Sequence, residues 1–353
     1  GPVDFQPREP FSPLFGQLTS TTVMPELQIT QEYLGHSNHL VYLLPMWKEC
    51  LDADTYQKGE GSTVAAITTG KLHQRPISAI AGVTNIGDSI NWCGHHFAQS
   101  NWYAFGRIAW NPSLSSEQVA DEWIKQTFTA QPEFLNPIKE LMLRSREDNV
   151  HYEMPLGLHH IFSGPSHYGP GPWEGGTRPD WSPIYYHKAG KDGIGFDRTL
   201  NGTGAVAQYH EPLASMYNNL ETCPEELLLW FHHLPWDYTM KNGKSLWDNL
   251  CYTYQEGIDA AASYIATWDS VKPYVDNQRF HEVKVKLIRQ AKDALWWRDA
   301  CMLYFQQYSE MPIPEDCSAP QHTLEELRGH RLNVVLHGAP ALETLPAYEL
   351  DLK

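Results

Sequence analysis

Positive charge is scarce in this chain. Its 353 residues carry 26 Lys and Arg against 42 Asp and Glu, a formal net charge of −16, so the average surface repels a phosphate backbone and nucleic acid is excluded as an expected partner. Long apolar runs are missing too. Stretches such as 40–45 and 227–231 fall well short of the roughly 18–20 residues that span a bilayer, and the expectation is a soluble protein with no membrane partner. Six cysteines, Cys50, Cys93, Cys223, Cys251, Cys301 and Cys317, show no C-x-x-C pair and no zinc spacing, which excludes a metal knuckle or a thioredoxin-like motif. Buried thiols are expected instead, with room for one disulfide.

Several catalytic signatures are absent as well. Gly169-Pro170-Gly171-Pro172 has prolines where a phosphate loop needs backbone N–H donors, and Gly193-Ile194-Gly195 is only a fragment of a dinucleotide pattern. There is no G-x-S-x-G elbow and no H-E-x-x-H helix. The pairs His95-His96, His159-His160 and His232-His233 do not converge on one ion, because neighbouring side chains diverge by about 100° on a helix and point to opposite faces of a strand. They read as hydrogen-bonding groups, so neither metal nor cofactor is expected.

What the chain has in quantity is rings: 13 Trp, 18 Tyr and 17 His beside only 19% charged residues. Rings with one polar edge suit sugar clefts, which stack and hydrogen-bond at once; core filling accounts for about half of them. One usable glycosylation acceptor, Asn201-Gly202-Thr203, permits secretion, whereas Asn111-Pro112-Ser113 is blocked by its proline.

The first hundred residues read as short strands (Val3–Gln6, Glu26–Tyr33, Ile77–Thr84) with a helical stretch inside His39–Leu51, a parallel α/β order. Helices dominate after Trp110. Ser115 with Gln118, and Thr222 with Glu225, have capping-box spacing. Phe280, Val283, Leu287, Ile288, Ala291, Leu295 and Ala300 mark one long amphipathic helix over Asp276–Ser309. Residues 151–212 are dense in Gly, Pro, His, Tyr and Trp without periodicity, a long loop region of the kind that carries function. From Pro312 the polar C-terminus reads as a surface arm.

Two carboxylates, Asp4 and Glu32, fall at or near the ends of expected strands, where parallel α/β barrels gather catalytic groups. Side by side they would activate water as general bases; the other reading is that each caps the next helix. Arg178-Pro179-Asp180-Trp181 and Gly195-Phe196-Asp197-Arg198 group guanidinium, carboxylate and indole as a sugar acid would require. A surface Arg–Asp pair beside a packed indole explains them equally well.

The segments Gly1-Pro2-Val3-Asp4-Phe5-Gln6, Gln28-Ile29-Thr30-Gln31-Glu32-Tyr33, Pro155-Leu156-Gly157-Leu158-His159-His160, His167-Tyr168-Gly169-Pro170-Gly171-Pro172-Trp173, Gly193-Ile194-Gly195-Phe196-Asp197-Arg198-Thr199 and Leu228-Leu229-Trp230-Phe231-His232-His233 resemble, in order, the xylan α-glucuronidases of glycoside hydrolase family 67. The resemblance runs from residue 1 to about residue 313. It implies an α/β plus α fold: residues 1–110 as the last strands of a (β/α)8 TIM barrel, residues 111–353 as a mainly helical C-terminal domain that also supplies a homodimer contact.

The activity it implies is inverting hydrolysis that frees (4-O-methyl-)glucuronic acid from the non-reducing terminal xylose of xylo-oligosaccharides. Asp4 and Glu32 match the family's water-activating pair, and inversion requires acid and base roughly 6.5–9.5 Å apart. Arg178 and Trp181 are candidate substrate contacts. The general acid, and a basic residue before Gly-Pro-x-Asp, would lie N-terminal to Gly1, making the N-terminal half of the same enzyme a required partner. Secretion is expected, or a cytoplasmic location in a bacterial source. The rival expectation is a non-catalytic binding protein for acidic xylo-oligosaccharides that lacks the acid.

Overall fold

Three short parallel strands begin the fold: β1 (Pro2–Val3), β2 (Glu26–Gln28) and β3 (Ala81–Val83), hydrogen-bonded in the order β1-β2-β3 with Pro2 beside Glu26 and Glu26 beside Ala81. The computed structural model describes residues 2–3 by their backbone, then residues 10–20, 23–84, 94–164, 166–176 and 178–330, with Asp180 again by backbone alone. Strands β2 and β3 lie within the segments expected at 26–33 and 77–84 but are shorter; of the strand expected at 3–6 only Val3 falls in β1, and residues 4–6 lie outside the described residues. Past Gln28 the pairing reaches only Ile29, whose N–H bonds the Val83 carbonyl at 2.8 Å. The chain then coils: Leu34 and His36 both donate to the Gln31 carbonyl, and Tyr33 and His36 adopt φ of 67° and 46°. A ladder cannot continue through left-handed residues.

Short helices α1 (Leu14–Gln17), α2 (Leu44–Asp52) and α3 (Val64–Thr68) accompany the strands. Helix α2 starts at Leu44 because the preceding N–H groups are already engaged by side chains. Leu40 N–H bonds Gln290 Oε1 (2.9 Å), Tyr42 N–H bonds Ser145 Oγ (2.9 Å) and Leu43 N–H bonds Asn101 Oδ1 (2.8 Å). These acceptors lie on the helices that follow: Asn101 on α4 (Ala98–Trp110), Ser145 on α6 (Pro132–Glu153) and Gln290 on α11 (Asn277–Ser309). The buried irregular segment 29–43 thus satisfies its backbone through the helical layer, as buried polar groups must.

Between these run α5 (Ser116–Thr127), the short α7 (Pro183–His187), α8 (Leu213–Asn218) and α9 (Leu228–Phe231), and then α10 (Leu246–Ser270); α12 (Leu324–Gly329) comes last. The protein is mostly helical with few strands. The Ser115–Gln118 capping box forms on α5, and Asp276 caps α11 through Arg279 N–H at 2.9 Å. The Thr222–Glu225 box does not form: Pro224 is held extended (ψ 136°), and Thr222 Oγ1 donates instead to the Met216 carbonyl at 2.9 Å, closing the preceding turn. Nor are residues 312–330 a free arm. Cys317 and Leu327 are buried, and Gln321 N–H and His322 Nδ1 both reach buried Asp299 at 2.8 Å.

Helices α6, α10 and α11 pack together around a core rich in rings, including Trp268 stacked on Phe280 at 5.8 Å. Six tryptophans among the described residues are buried (Trp47, Trp123, Trp236, Trp247, Trp268, Trp297), so core filling does claim a large share. Cys50, Cys223, Cys251, Cys301 and Cys317 are buried free thiols; Cys93 lies outside the described residues. No described helix is long and apolar enough to cross a membrane.

One glycine fixes how the segment after α6 meets α9. Gly157 has φ 84°, and a Cβ there would stand 2.8 Å from the Leu227 carbonyl carbon and 2.9 Å from the Trp230 nitrogen. Gly157→Ala should therefore destabilise the protein by about 2–4 kcal/mol, combining left-handed strain with overpacking against backbone. Thermal unfolding of the variant reads this directly.

Candidate active site

Glu32 sits four residues beyond the end of β2, its side chain 15% exposed. His167 Nδ1 donates to its Oε1 at 2.7 Å and Gln28 Nε2 to its Oε2 at 2.5 Å. Burial pushes its pKa upward, but the His167 and Gln28 hydrogen bonds, with the His167 and His36 charges, outweigh burial and leave the net value below the ordinary 4.5. Glu32 is thus an ionised carboxylate at neutral pH. Each oxygen thus has one hydrogen-bond donor among the described residues, and a carboxylate oxygen can accept a second. Nearby, Thr30 and Thr84 hydroxyls bond at 2.9 Å and tie the ends of β2 and β3 together. Asp4 follows β1 in the sequence and lies outside the described residues.

His167 comes from a narrow hairpin in the long loop. Ser163 N–H bonds the Gly169 carbonyl (2.7 Å), Gly171 N–H bonds the Ile161 carbonyl (2.8 Å), and His167 N–H turns back to the Ser163 carbonyl (2.8 Å). Gly169 is required by close approach, since a Cβ would stand 2.0 Å from the Trp296 ring. The His167 carbonyl accepts from His36 Nε2 at 2.9 Å. Its neighbour Tyr168 turns the other way, its hydroxyl donating to buried Asp293.

Asp293 is the centre of a buried network on α11. Arg289 Nε reaches both its oxygens (2.8 and 2.7 Å), and His39 Nε2 donates at 3.1 Å. With Nε2 carrying the proton, His39 Nδ1 accepts from the Tyr152 hydroxyl at 2.9 Å. Burial would raise the Asp293 pKa, but the Arg289 charge and the His39 hydrogen bond override it and hold the value below 3.8. Burial, against a weaker pull from Asp293, lowers that of His39. Glu153, fully buried beside Asn149, is pushed well above its usual range by burial.

A row of rings leads away from Glu32. Tyr33 stacks near Phe162 (4.4 Å) and His167 (5.0 Å), His160 joins Phe162 (4.4 Å) to Tyr186 (4.7 Å), and His159 meets Trp230 (4.7 Å). Trp181 is half exposed at the rim, its ring 6.2 Å from that of His167. Arg178 stands exposed at the start of the same turn, and the Asp180 side chain lies outside the described residues. Four residues of this wall and its base, Tyr33, His36, His160 and His167, have φ between 46° and 67°. Left-handed non-glycine residues cost of order 1–3 kcal/mol each and persist where surrounding structure imposes them, often at functional sites.

The second Arg–Asp–ring motif is tied into the chain around it. Arg198 is sandwiched between Phe196 (4.1 Å) and Trp230 (3.9 Å) and donates to the Trp230 carbonyl at 2.5 Å, while Asp197 accepts from Thr199 N–H and Oγ1. Burial, with the Arg198 charge second, keeps His159 neutral. His232 and His233 bond the Tyr217 and Gly195 carbonyls, and His96 meets Glu282 at 2.5 Å. Among the described residues no three His, Cys, Asp or Glu side chains converge as a metal site requires. Sequence reasoning singled out Glu32 but gave no role to Gln28, His36, His167 or Asp293. The signals for His167 were its place in a Gly/Pro-rich segment and in the 167–173 stretch that carries the family resemblance, neither of which assigned it a partner.

Residues 1–92 match the glycosyl hydrolase family 67 middle domain and residues 93–318 the glycosyl hydrolase family 67 C-terminus. The chain is 41% identical over 320 residues to alpha-glucuronidase A of Emericella nidulans, an alignment covering 90% of this chain and 37% of that protein. It is 39% identical over 311 residues to a probable alpha-glucuronidase A of Aspergillus oryzae (88% and 37% covered), and 37% identical over 314 residues to alpha-glucuronidase A of Aspergillus tubingensis (88% and 37%). It spans little more than a third of the length of these curated relatives. With both domain matches in sequence order across residues 1–318, the chain belongs to glycoside hydrolase family 67.

Proposed function

We propose that this chain carries the water-activating side of an α-glucuronidase site, in an enzyme that releases (4-O-methyl-)glucuronic acid from the non-reducing terminal xylose of xylo-oligosaccharides with inversion. The observation that carries the reading is Glu32: an ionised carboxylate just past a parallel strand, with each oxygen oriented by one donor among the described residues and able to accept a proton from water. Its relatives' names, which specify alpha-glucuronidase, support the substrate class. In this reading β1, β2 and β3 are the last strands of a (β/α)8 barrel, Asp4 shares the water with Glu32, and the rings near Trp181 receive sugar faces. The proton donor to the leaving oxygen comes from the rest of the longer enzyme.

Inversion at an α-linkage delivers the β-anomer. Proton NMR during the first turnovers of the full-length enzyme on a glucuronylated xylo-oligosaccharide should show β-glucuronic acid before mutarotation mixes the anomers. Initial α-anomer would overturn the single-displacement mechanism, and no released uronic acid would overturn the hydrolase reading itself.

A further inference from the structure

The Glu32 carboxylate is not held by its own strand alone. Gln28, from β2, engages one oxygen, and the other is engaged by a residue 135 positions away, on a hairpin whose remaining bonds fix that residue on three sides. The His167 N–H is tied to Ser163, its carbonyl to His36, and its ring packs near Tyr33 and Phe162 at 5.0 and 5.1 Å. The next residue, Tyr168, is anchored to Asp293. The backbone at His167 is left-handed, φ 52°, a conformation uncommon outside glycine that the surrounding bonds hold in place.

We propose that His167 is a positioning residue: its Nδ1–H orients Glu32 so that the free lone pair of the carboxylate points at the attacking water. This rests on the assignment of Glu32 as a base given above and extends it. In the step, a water O–H bond breaks as its proton passes to Glu32, the water oxygen forms the new bond to the anomeric carbon, and the glycosidic oxygen leaves and is protonated by the enzyme's acid. His167 gives up no proton; it keeps the acceptor in place and favours its charged form. Among the described residues Gln28 holds the opposite oxygen, and His36 Nε2 bonds the His167 carbonyl rather than the carboxylate. His167 and His36 are the described groups whose charges act on Glu32.

The test uses the full-length enzyme with His167→Ala and His167→Asn, the latter because an Asn amide nitrogen occupies nearly the place of the imidazole Nδ1. His167→Ala should lower kcat about 10–100-fold, the scale of a misplaced catalytic group, with KM little changed. The acid limb of its kcat/KM profile should move to higher pH, because Glu32 loses a bond that favours its ionised form. His167→Asn should recover most of both effects. A merely structural role would lower the folded fraction or Tm and leave the acid limb in place. Unchanged kcat in His167→Ala, an unmoved acid limb, or an Asn variant as impaired as Ala overturns the proposal. Glu32→Gln, measured alongside, separates the two failures: loss in Glu32→Gln with native behaviour in His167→Ala sinks the positioning role alone, and native turnover in Glu32→Gln sinks both.

Discussion

Glu32→Gln in the full-length enzyme is expected to lower kcat by roughly 10²–10⁴-fold, the usual contribution of a positioned general base, while KM changes much less. Glutamine is nearly isosteric and can still take part in hydrogen bonds with His167 and Gln28, so the substitution removes the proton acceptor and keeps the packing. Loss confined to kcat marks an interaction made in the transition state. The sign of the pH dependence follows from the same geometry. A base must be ionised to act, and the pKa of Glu32 is held below 4.5 despite burial that opposes this. Activity limited by Glu32 should therefore persist below pH 4.5 before falling on the acid side. Steady-state kinetics across that range are the measurement; an acid limb above pH 4.5 that disappears in Glu32→Gln would show that burial outweighs the two hydrogen bonds.

Much of this was legible in the sequence, for reasons that also explain what was not. Helix α11 announced itself through apolar spacing, and α5 through Ser115 and Gln118, because caps and periodicity act within a few residues. The end of β2 was overrun because Tyr33 and His36 are left-handed, a conformation imposed by distant partners and invisible in residue type. Thr222 had the spacing of a cap, but Pro224 fixed the chain in an extended state and the hydroxyl turned back. Glu32 stood out as an acid near a strand end. His167 did not, since its contact spans 135 residues and its hairpin has no period. The apolar stripe assigned to α11 also missed its buried polar side: Ile288, Ala291 and Leu295 are only partly buried, whereas Arg289, Gln290 and Asp293 are buried beneath the site. Amphipathic patterns count apolar residues inward, and a polar network that replaces them looks like a solvated face.

That network makes Asp293 the position whose loss should most damage the fold. Asp293→Ala leaves the Arg289 guanidinium, His39 and the Tyr168 hydroxyl buried without the acceptor they share, and removing one member of such a pair costs about 3–5 kcal/mol. Urea unfolding at neutral pH should show it as a lower midpoint. The pH dependence has a definite sign. The folded carboxyl of Asp293 is held below its ordinary 3.8, so its contribution is present above that value and is lost as pH falls through the lower, folded one. The native protein should therefore lose stability steeply in strong acid, and Asp293→Asn should lose that part of the slope. Pairing Asp293→Leu with Arg289→Met removes both charges together, and the double variant should be less destabilised than the sum of the two single ones, because neither charge is left stranded. Tyr168 links this energy to the site. Once its hydroxyl is released, the hairpin that presents His167 to Glu32 loses its anchor, so Asp293→Ala should lose turnover even at temperatures where it remains folded. A loss below about 1 kcal/mol, the value of an exposed ion pair, would mean that water reaches the network, and strictly additive single variants would mean that Arg289 and Asp293 are not coupled.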